Sequence, residues 1–302
     1  EPAARYREDP VRVIRAVRFM AKLSHLGFTM ERATREPLVA SARLLADVPQ
    51  SRLFDEMLKL LQTGHALATI EALQSLNLET GIYPLLDLAV ARATDPFVNQ
   101  ALSDTDRRVN EGKPVAPSFL LACVLWSDVR TGWSKRLARQ KGPRASSFPA
   151  LQEAVDEVFE SRIGDVSGRG KLGADMREIW TMQPRFEKRT PASALSLVGQ
   201  PRFRAGFDFL RLRANVGEID DELATWWETF SLADEAAREE ILETLRSQKP
   251  PPRKRVVKAV STDASPEVAE SLSETTASLD TDAPRKRRRR RRKPNDGGTQ
   301  SG

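Results

Sequence analysis

Hydrophobic residues recur through most of the chain at intervals of three and four positions, which is the spacing of one face of an α-helix. The clearest stretch runs from Pro10 to about Ser24 and is followed by Gly27, a typical helix end. At about 100° per residue its apolar and basic positions fall on opposite sides. The sequence therefore predicts a helix with an apolar face of Val13, Ile14, Val17, Met20 and Ala21 and a basic face of Arg12, Arg15, Arg18 and Lys22.

The same spacing predicts several further helices, and no stretch shows the sustained alternation of a half-buried strand. The fold class is therefore predicted to be all-α. Two intervals are expected to be loops: the polar stretch 131–147 and the glycine-rich stretch 168–173. The further helical runs extend from Ser51 to Gly64, Ile70 to Gly81, Pro117 to Val129, Leu151 to Phe159, Arg202 to Ala214 and Leu223 to Phe230.

Composition sets the last part of the chain apart. Residues 249–302 contain fourteen Lys and Arg against seven Asp and Glu, whereas the whole chain of 302 residues has a net charge of only +6. Nine consecutive basic residues run from Arg285 to Lys293. Too few apolar residues are present to offset the entropy of ordering, so this tail is predicted to be disordered. Its cations favour contact with RNA phosphates, with an acidic membrane surface or a protein partner as alternatives.

The start of the first predicted helix has the chemistry to read a nucleobase. Pro10 fits the first helical position, and Glu8, Asp9 and Arg12 come together at the first turn. A carboxylate can accept a hydrogen bond from the exocyclic amine of adenine, and a guanidinium can donate to a ring nitrogen. The alternative is that Asp9 only caps the helix, Glu8 complements its dipole, and the arginines form a solvated face.

The order E-D-x-x-R of residues 8–12 resembles the base-selecting motif of class II nucleotidyltransferases, which include bacterial poly(A) polymerases and CCA-adding enzymes. The string from Arg5 to Leu23 and the segments 49–61 and 64–69 resemble the neck of the poly(A) polymerases, and the segment 201–214 resembles their arginine-rich C-terminal domain. The resemblance covers roughly residues 1–232. It implies a neck domain over residues 1–90, a helical arginine-rich domain over 91–248 and a disordered basic tail over 249–302.

The resemblance implies addition of AMP from ATP to RNA 3′ ends in the cytoplasm, with Asp9 and Arg12 pairing with the base of ATP. In that family Mg²⁺ is held by a head domain that precedes the neck. The chain has two Asp-x-Asp pairs, Asp104 to Asp106 and Asp280 to Asp282, and neither follows an apolar strand or a Gly-Ser turn. No catalytic residue or metal ligand is therefore assigned here, and the chain is expected to be a C-terminal part that is inactive alone.

Cysteine and histidine are the two other residue types that could carry chemistry. Cys123, the single cysteine, lies within an apolar run and is expected to be a buried small residue. The two histidines have no set of cysteine partners, so a zinc site is not expected. No apolar run approaches the roughly 20 residues that a membrane span needs.

RNA 3′ ends are the expected partner, and an RNA helicase or degradation machinery is a further candidate partner. Arg185, Lys188 and Arg189 could extend an RNA-holding groove, whereas Phe203, Phe207 and Phe209 are expected in the core. A CCA-adding enzyme and a non-catalytic RNA-binding adaptor stay open as alternative functions, and oligomeric state is left open. The candidate RNA contacts are Arg15, Arg18, Lys22, Arg202, Arg204, Arg211, Arg213, Arg285, Arg287, Arg288, Arg289 and Arg290.

Overall fold

Helices account for the secondary structure of residues 1–139, 147–163 and 170–247, the parts of the chain that the computed structural model describes. Fourteen α-helices lie within these ranges and no strand does, which confirms the predicted all-α class. In chain order they are α1 (Pro2–Glu8), α2 (Val11–Ser24), α3 (Arg32–Ser41), α4 (Gln50–Leu61), α5 (Ala66–Ser75), α6 (Pro84–Ala91), α7 (Pro96–Asn110), α8 (Pro117–Arg139), α9 (Ser147–Val158), α10 (Gly170–Phe186), α11 (Pro191–Val198), α12 (Phe203–Asn215), α13 (Asp221–Leu232) and α14 (Glu235–Ser247). A 3-10 segment spans Ala42–Asp47 and a π-helical turn spans Phe159–Ile163.

The first predicted helix is confirmed as α2, with the two faces that the sequence indicates. Its apolar face is buried against α4 and α5, and Met20 is only half-buried. The opposite face presents basic side chains. Helix α1, which the sequence analysis did not anticipate, packs on α3 and buries Tyr6. The start of α5 is held from α7, where the Asp106 carboxylate accepts hydrogen bonds from the backbone N–H groups of Ala66 (2.7 Å) and Leu67 (3.3 Å).

The main hydrophobic core contains buried residues on both sides of position 90, the predicted boundary between neck and arginine-rich domains, and extends from Tyr6 to Leu212. Phe209 of α12 makes edge contacts with the rings of Phe97, Phe119 and Trp126 at centroid distances of 5.1, 6.4 and 5.2 Å. A second cluster surrounds Trp227 and includes Phe203 and Phe207. The prediction that the three phenylalanines of this region belong to the core is therefore confirmed.

Two predicted loops prove to be partly helical. Helix α8 continues to Arg139 because Trp133 is buried on α9, where its indole N–H donates to the carbonyl of Ser147 at 3.0 Å, and because Arg136 pairs with Glu153 and Glu157. Residues 140–146 lie outside the described ranges.

The glycine-rich stretch is the second correction. Helix α10 begins at Gly170, so the residues from there to Gly173 are helical, whereas 164–169 lie outside the described ranges. A Cβ at Gly173 would approach the Phe159 ring to 3.0 Å, so the glycine allows that ring to pack closely on the helix. The basic tail over 249–302 also lies outside the described ranges. None of the described helices combines the length and apolar character needed to cross a bilayer.

Candidate nucleotide and RNA site

The junction between α1 and α2 positions the predicted base-reading residues. Pro10 cannot continue α1 because its ring removes the backbone donor and disfavours a helical conformation for the preceding residue. Asp9 is accordingly extended, with φ −146° and ψ 95°. Its Oδ1 atom accepts a hydrogen bond from the backbone N–H of Val11 at 3.3 Å, and its Oδ2 atom accepts one from Nη2 of Arg52 on α4 at 2.9 Å. Asp9 therefore supports the start of α2 and also links it to α4.

Glu8 holds Arg12 in place. Its Oε2 atom accepts hydrogen bonds from Nη1 of Arg5 at 3.0 Å and Nη1 of Arg12 at 3.1 Å, and these bonds lower the pKa of Glu8. The Arg12 Nη1 atom also donates to the carbonyl of Arg5 at 3.2 Å. Both described hydrogen bonds of Arg12 use Nη1, so neither of them engages the Nε or Nη2 donor. The structure thus brings Glu8 and Arg12 together, whereas Asp9 is bonded to Arg52 rather than to Arg12.

A buried carboxylate that the sequence analysis missed supports the basic face. Glu56 of α4 is 2% exposed, and its Oε1 atom accepts hydrogen bonds from Arg15 Nη2 and from Lys59 Nζ, each at 3.0 Å. Burial opposes ionisation, but the hydrogen bonds from Arg15 and Lys59 outweigh it and lower the pKa of Glu56. Arg15 is therefore anchored at one end while its side chain remains 40% exposed.

An exposed aromatic ring lies within the same basic face. Phe19 is 55% exposed, and the guanidinium of Arg18 stands 5.6 Å from the centre of its ring. Phe19 follows Arg15 by four positions, so the two share one side of α2. Aromatic rings beside cations are a common platform for single-stranded RNA bases. The signal in the sequence was the angular position of Phe19 among the basic residues, outside the apolar face.

The predicted arginines at the start of α12 and along it are engaged in ion pairs. Arg202 contacts Asp175 at 2.7 Å, and Arg204 contacts Asp208 at 3.0 Å with its side chain still 71% exposed. Arg211 bridges Asp221 of α13 at 2.8 Å and Glu228 at 2.7 Å. The pairs of Arg202 and Arg211 tie this region to α10 and α13, whereas Arg204 pairs within α12 and has the most open of the three side chains.

Arg213 differs from the others because it lies inside the fold. Its Nε atom donates to Glu218 at 2.8 Å and its Nη1 atom to Gln183 at 3.2 Å, and its guanidinium lies 5.0 Å from the ring centre of Trp126. Only 6% of the residue is exposed, so Arg213 cannot reach RNA in this conformation and is omitted from the proposed surface. The remaining candidates, Arg285, Arg287, Arg288, Arg289 and Arg290, lie outside the described ranges.

Within the described ranges, no three His, Cys, Asp or Glu residues come together as a metal site. Asp104 pairs with Arg107, and Asp106 is occupied by the amides at the start of α5. The rings of His25 and His65 stack on each other with centroids 5.0 Å apart. Cys123 is fully buried, which raises the pKa of its thiol well above the ordinary value and confirms its prediction as a core residue.

Two family profiles match this chain. One, described as "Polymerase A arginine-rich C-terminus", matches residues 143–294, and the other, described as "Probable RNA and SrmB- binding site of polymerase A", matches residues 27–89. The first covers the arginines of α12, and the second covers α3, α4 and α5. Arg52 and Glu56, which contact Asp9 and Arg15, therefore lie in the segment matched by the second profile.

Named relatives support the same family assignment. The chain is 33% identical over 260 residues to "Poly(A) polymerase I" of Haemophilus influenzae, which covers 84% of this chain and 56% of the relative. The match to the Salmonella typhi protein of that name has the same identity and covers 55% of the relative. A "CC-adding tRNA nucleotidyltransferase" of Halalkalibacterium halodurans is 40% identical over 85 residues, or 28% of this chain. The chain spans just over half the length of the poly(A) polymerases that it matches.

Proposed function

The chain belongs to the bacterial poly(A) polymerase family, and from this premise we propose that it selects the base of ATP and holds the RNA 3′ end in a protein that adds AMP to RNA. The reaction would join AMP to the 3′ hydroxyl and release pyrophosphate. The observation that carries the proposal is the geometry of Glu8, Asp9 and Arg12, which places a carboxylate and an exposed guanidinium at one helix junction.

Base selection would use two hydrogen bonds of opposite direction. The Asp9 carboxylate would accept from the exocyclic amine of adenine, and Arg12 would donate through Nε or Nη2 to a ring nitrogen. Glu8 would act as a positioning residue because it holds Nη1 of Arg12. A base that presents a carbonyl oxygen at that edge would place an acceptor against the carboxylate, which disfavours its binding.

RNA would follow the basic face of α2. Arg15, Arg18 and Lys22 offer cations to the phosphates, and Phe19 offers a ring on which a base can stack. Arg202, Arg204 and Arg211 would provide further contacts on α12. Contacts of this kind hold a strand without reading its sequence, as template-independent addition requires.

The described residues do not form a binding site for Mg²⁺, which the resemblance implies for the reaction. Their Asp-x-Asp pair points to other partners, Asp104 to Arg107 and Asp106 to the amides of α5. The proposal therefore assigns phosphoryl transfer to the full-length protein and derives no step through the metal from this chain.

Three further proposals rest on the family. They are the domain division at residues 90 and 248, the cytoplasmic location, and a helicase or degradation machinery as partner. The CCA-adding alternative is weaker, because the match to a "CCA-adding enzyme" covers 27% of the chain while the profile of the arginine-rich C-terminus covers residues 143–294. An adaptor without chemistry is disfavoured because the chain matches poly(A) polymerases over 84% of its length.

The decisive experiment replaces Asp9 or Arg12 by Ala in a full-length protein that carries this chain. Each change should lower ATP incorporation by more than about tenfold, because loss of one partner of a charged contact costs roughly 2–5 kcal/mol. RNA affinity should change far less. Incorporation is measured in an extension assay at several ATP concentrations, and RNA affinity by fluorescence anisotropy.

Arg5→Ala is the matched control, since Arg5 shares the Glu8 carboxylate with Arg12 but lies on α1. It should retain most of the incorporation. Equal loss of RNA affinity and incorporation in the Asp9 and Arg12 variants, or unfolding seen by circular dichroism, would assign these residues to structure and contradict the proposal.

A further inference from the structure

A cavity of about 230 Å³ lies between α7, the residues that lead into α8, and the first turns of α12. It shares no lining residue with the α1–α2 junction. Its apolar walls include Val115, Phe119 and Pro201, and its rim includes the charged residues Asp104, Arg108, Arg204 and Asp208. The walls that come from α7 and α8 lie between the two segments matched by the family profiles.

The rim presents acceptors and cations side by side. Asp208 forms an ion pair with Arg204 at Oδ1 (3.0 Å) and accepts a hydrogen bond from Arg108 at Oδ2 (3.3 Å). Each carboxylate oxygen can accept more than one hydrogen bond, so Asp208 retains capacity toward a ligand. Asp104 lies on the same rim, and the side chain of Arg204 is 71% exposed and reaches solvent at the cavity mouth.

The size and lining of the cavity restrict its occupant. Pockets for drug-sized ligands measure about 300–1,000 Å³, so this cavity suits a smaller flat group. Carboxylates next to an apolar wall match a base that has both flat faces and an amino group at its edge. An exposed arginine at the mouth matches the phosphate attached to such a base.

We propose that this cavity binds one amino-bearing base, adenine in a strand that ends in adenosines, and that Arg204 contacts its phosphate. The inference rests on the proposed function, because it needs RNA held by this chain. It adds a second base-binding site, distinct from the ATP-selecting junction and occupied by RNA that is already joined. Uracil has no amino group for Asp104 and Asp208, so the cavity should favour oligo(A) over oligo(U).

The test measures the affinity of the 302-residue chain for fluorescent oligo(A) and oligo(U) of equal length by anisotropy. The ratio of the two dissociation constants is compared between the natural chain and Asp208→Asn, which keeps the size of the side chain but exchanges an acceptor for a donor. The preference for oligo(A) should fall by about fivefold. Arg204→Ala should weaken the binding of both oligomers by a similar factor.

Arg246→Ala is the matched control, since Arg246 is also a partly exposed arginine paired within its own helix, to Glu243 at 2.8 Å. It should leave both affinities unchanged. Asp104→Asn is a second variant in case Asp208→Asn lowers the melting temperature, because Asp104 pairs with an exposed arginine of its own helix. An unchanged affinity ratio in a folded Asp104→Asn or Asp208→Asn chain overturns the cavity proposal.

Arg18→Glu on α2 separates this outcome from failure of the proposed function. In one outcome the natural chain binds both oligomers, Arg18→Glu weakens the binding of both, and the cavity variants keep the natural ratio of dissociation constants. Only the cavity proposal then fails. If the natural chain binds neither oligomer, RNA holding by this chain fails and the cavity proposal fails with it.

Discussion

At the scale of the residue, one buried carboxylate determines how the basic face of α2 is held. Glu56 satisfies Arg15 and Lys59 through Oε1, whereas its Oε2 atom is buried without a hydrogen-bond partner among the described residues. A buried acceptor without a partner costs free energy. Here the ionic hydrogen bonds from Arg15 and Lys59 offset that cost, and they anchor Arg15 beneath the proposed path of RNA.

Glu56→Gln should lower the free energy of unfolding by about 1–2 kcal/mol at neutral pH. The amide loses the attraction to two cations, and its NH₂ group would occupy the buried position where Oε2 has no partner. Because the pKa of Glu56 is lowered from 4.5, the stabilisation is present above that value and is lost as the pH falls through the folded-state pKa. Urea unfolding of both proteins at about pH 7 and about pH 3 measures the difference, which should shrink in acid. A difference independent of pH would contradict the ionic role.

Sequence reasoning predicted that Glu8, Asp9 and Arg12 come together, and it missed the partners that lie far away in the chain. Glu8 and Arg12 are only four positions apart, so sequence proximity predicts that they meet at the start of α2, although the helix is interrupted between them at Asp9. Arg52 lies 43 positions from Asp9 in the chain, so only the packing of α2 on α4 brings them together. The burial of Arg213 also depends on distant residues, since Gln183 and Trp126 come from other helices.

At the scale of the element, α10 and α12 approach each other at Gly206. A Cβ at this position would lie 2.6 Å from the Sδ atom of Met182 and 3.5 Å from Cε2 of Phe186. Both neighbours are buried, so neither can move into solvent. Gly206 is therefore needed for close approach of the two helices.

Gly206→Ala should lower the free energy of unfolding by about 1 kcal/mol, because overpacking costs about 1–3 kcal/mol and the gain in helix propensity returns only about 1 kcal/mol. Gly206→Val should cost more. Gly170→Ala is the control, since a Cβ there meets nothing within 4 Å. Thermal and urea unfolding measure all three. An increase in stability for Gly206→Ala would show that Met182 yields easily and would contradict the prediction.

Periodicity predicted the main helices, and packing decided where they end. Helices α2, α4, α12 and α13 follow runs in which apolar residues recur at helical spacing. The polar stretch after Val129 lacks such a run, yet Trp133 and Arg136 hold it against α9 as the end of α8. Ion pairs and single aromatic anchors of this kind leave little trace in a pattern of hydrophobic residues.

At the scale of the whole molecule, the basic charge is concentrated at one end of the sequence. Residues 249–302 hold fourteen Lys and Arg against seven Asp and Glu, so the rest of the chain is close to neutral. Most of the described arginines of α12 are paired with carboxylates. Non-specific attraction to RNA should therefore depend strongly on the tail.

Deleting residues 249–302 should weaken RNA binding about equally across sequences and make it less dependent on salt. Each neutralised phosphate contributes about −0.7 to the log–log slope on single strands, so engagement of half of the run from Arg285 to Lys293 implies a change of roughly three. Anisotropy with an unstructured RNA at several salt concentrations measures the slope. Deletion of the acidic spacer 261–282 alone is the control and should not reduce the slope. An unchanged slope after removal of the basic run would assign that run to another partner.

The ion pair between Asp9 and Arg52 joins the two substrates of the proposed reaction in one thermodynamic cycle. In the proposed reaction, an adenine that drew the Asp9 carboxylate away would free Arg52, on a helix of the segment matched by the second profile, for a phosphate. A phosphate that took Arg52 would likewise free Asp9 for the base. Each ligand would thus remove a competitor of the other, and reciprocity then requires that ATP strengthens RNA binding by the same factor by which RNA strengthens ATP binding.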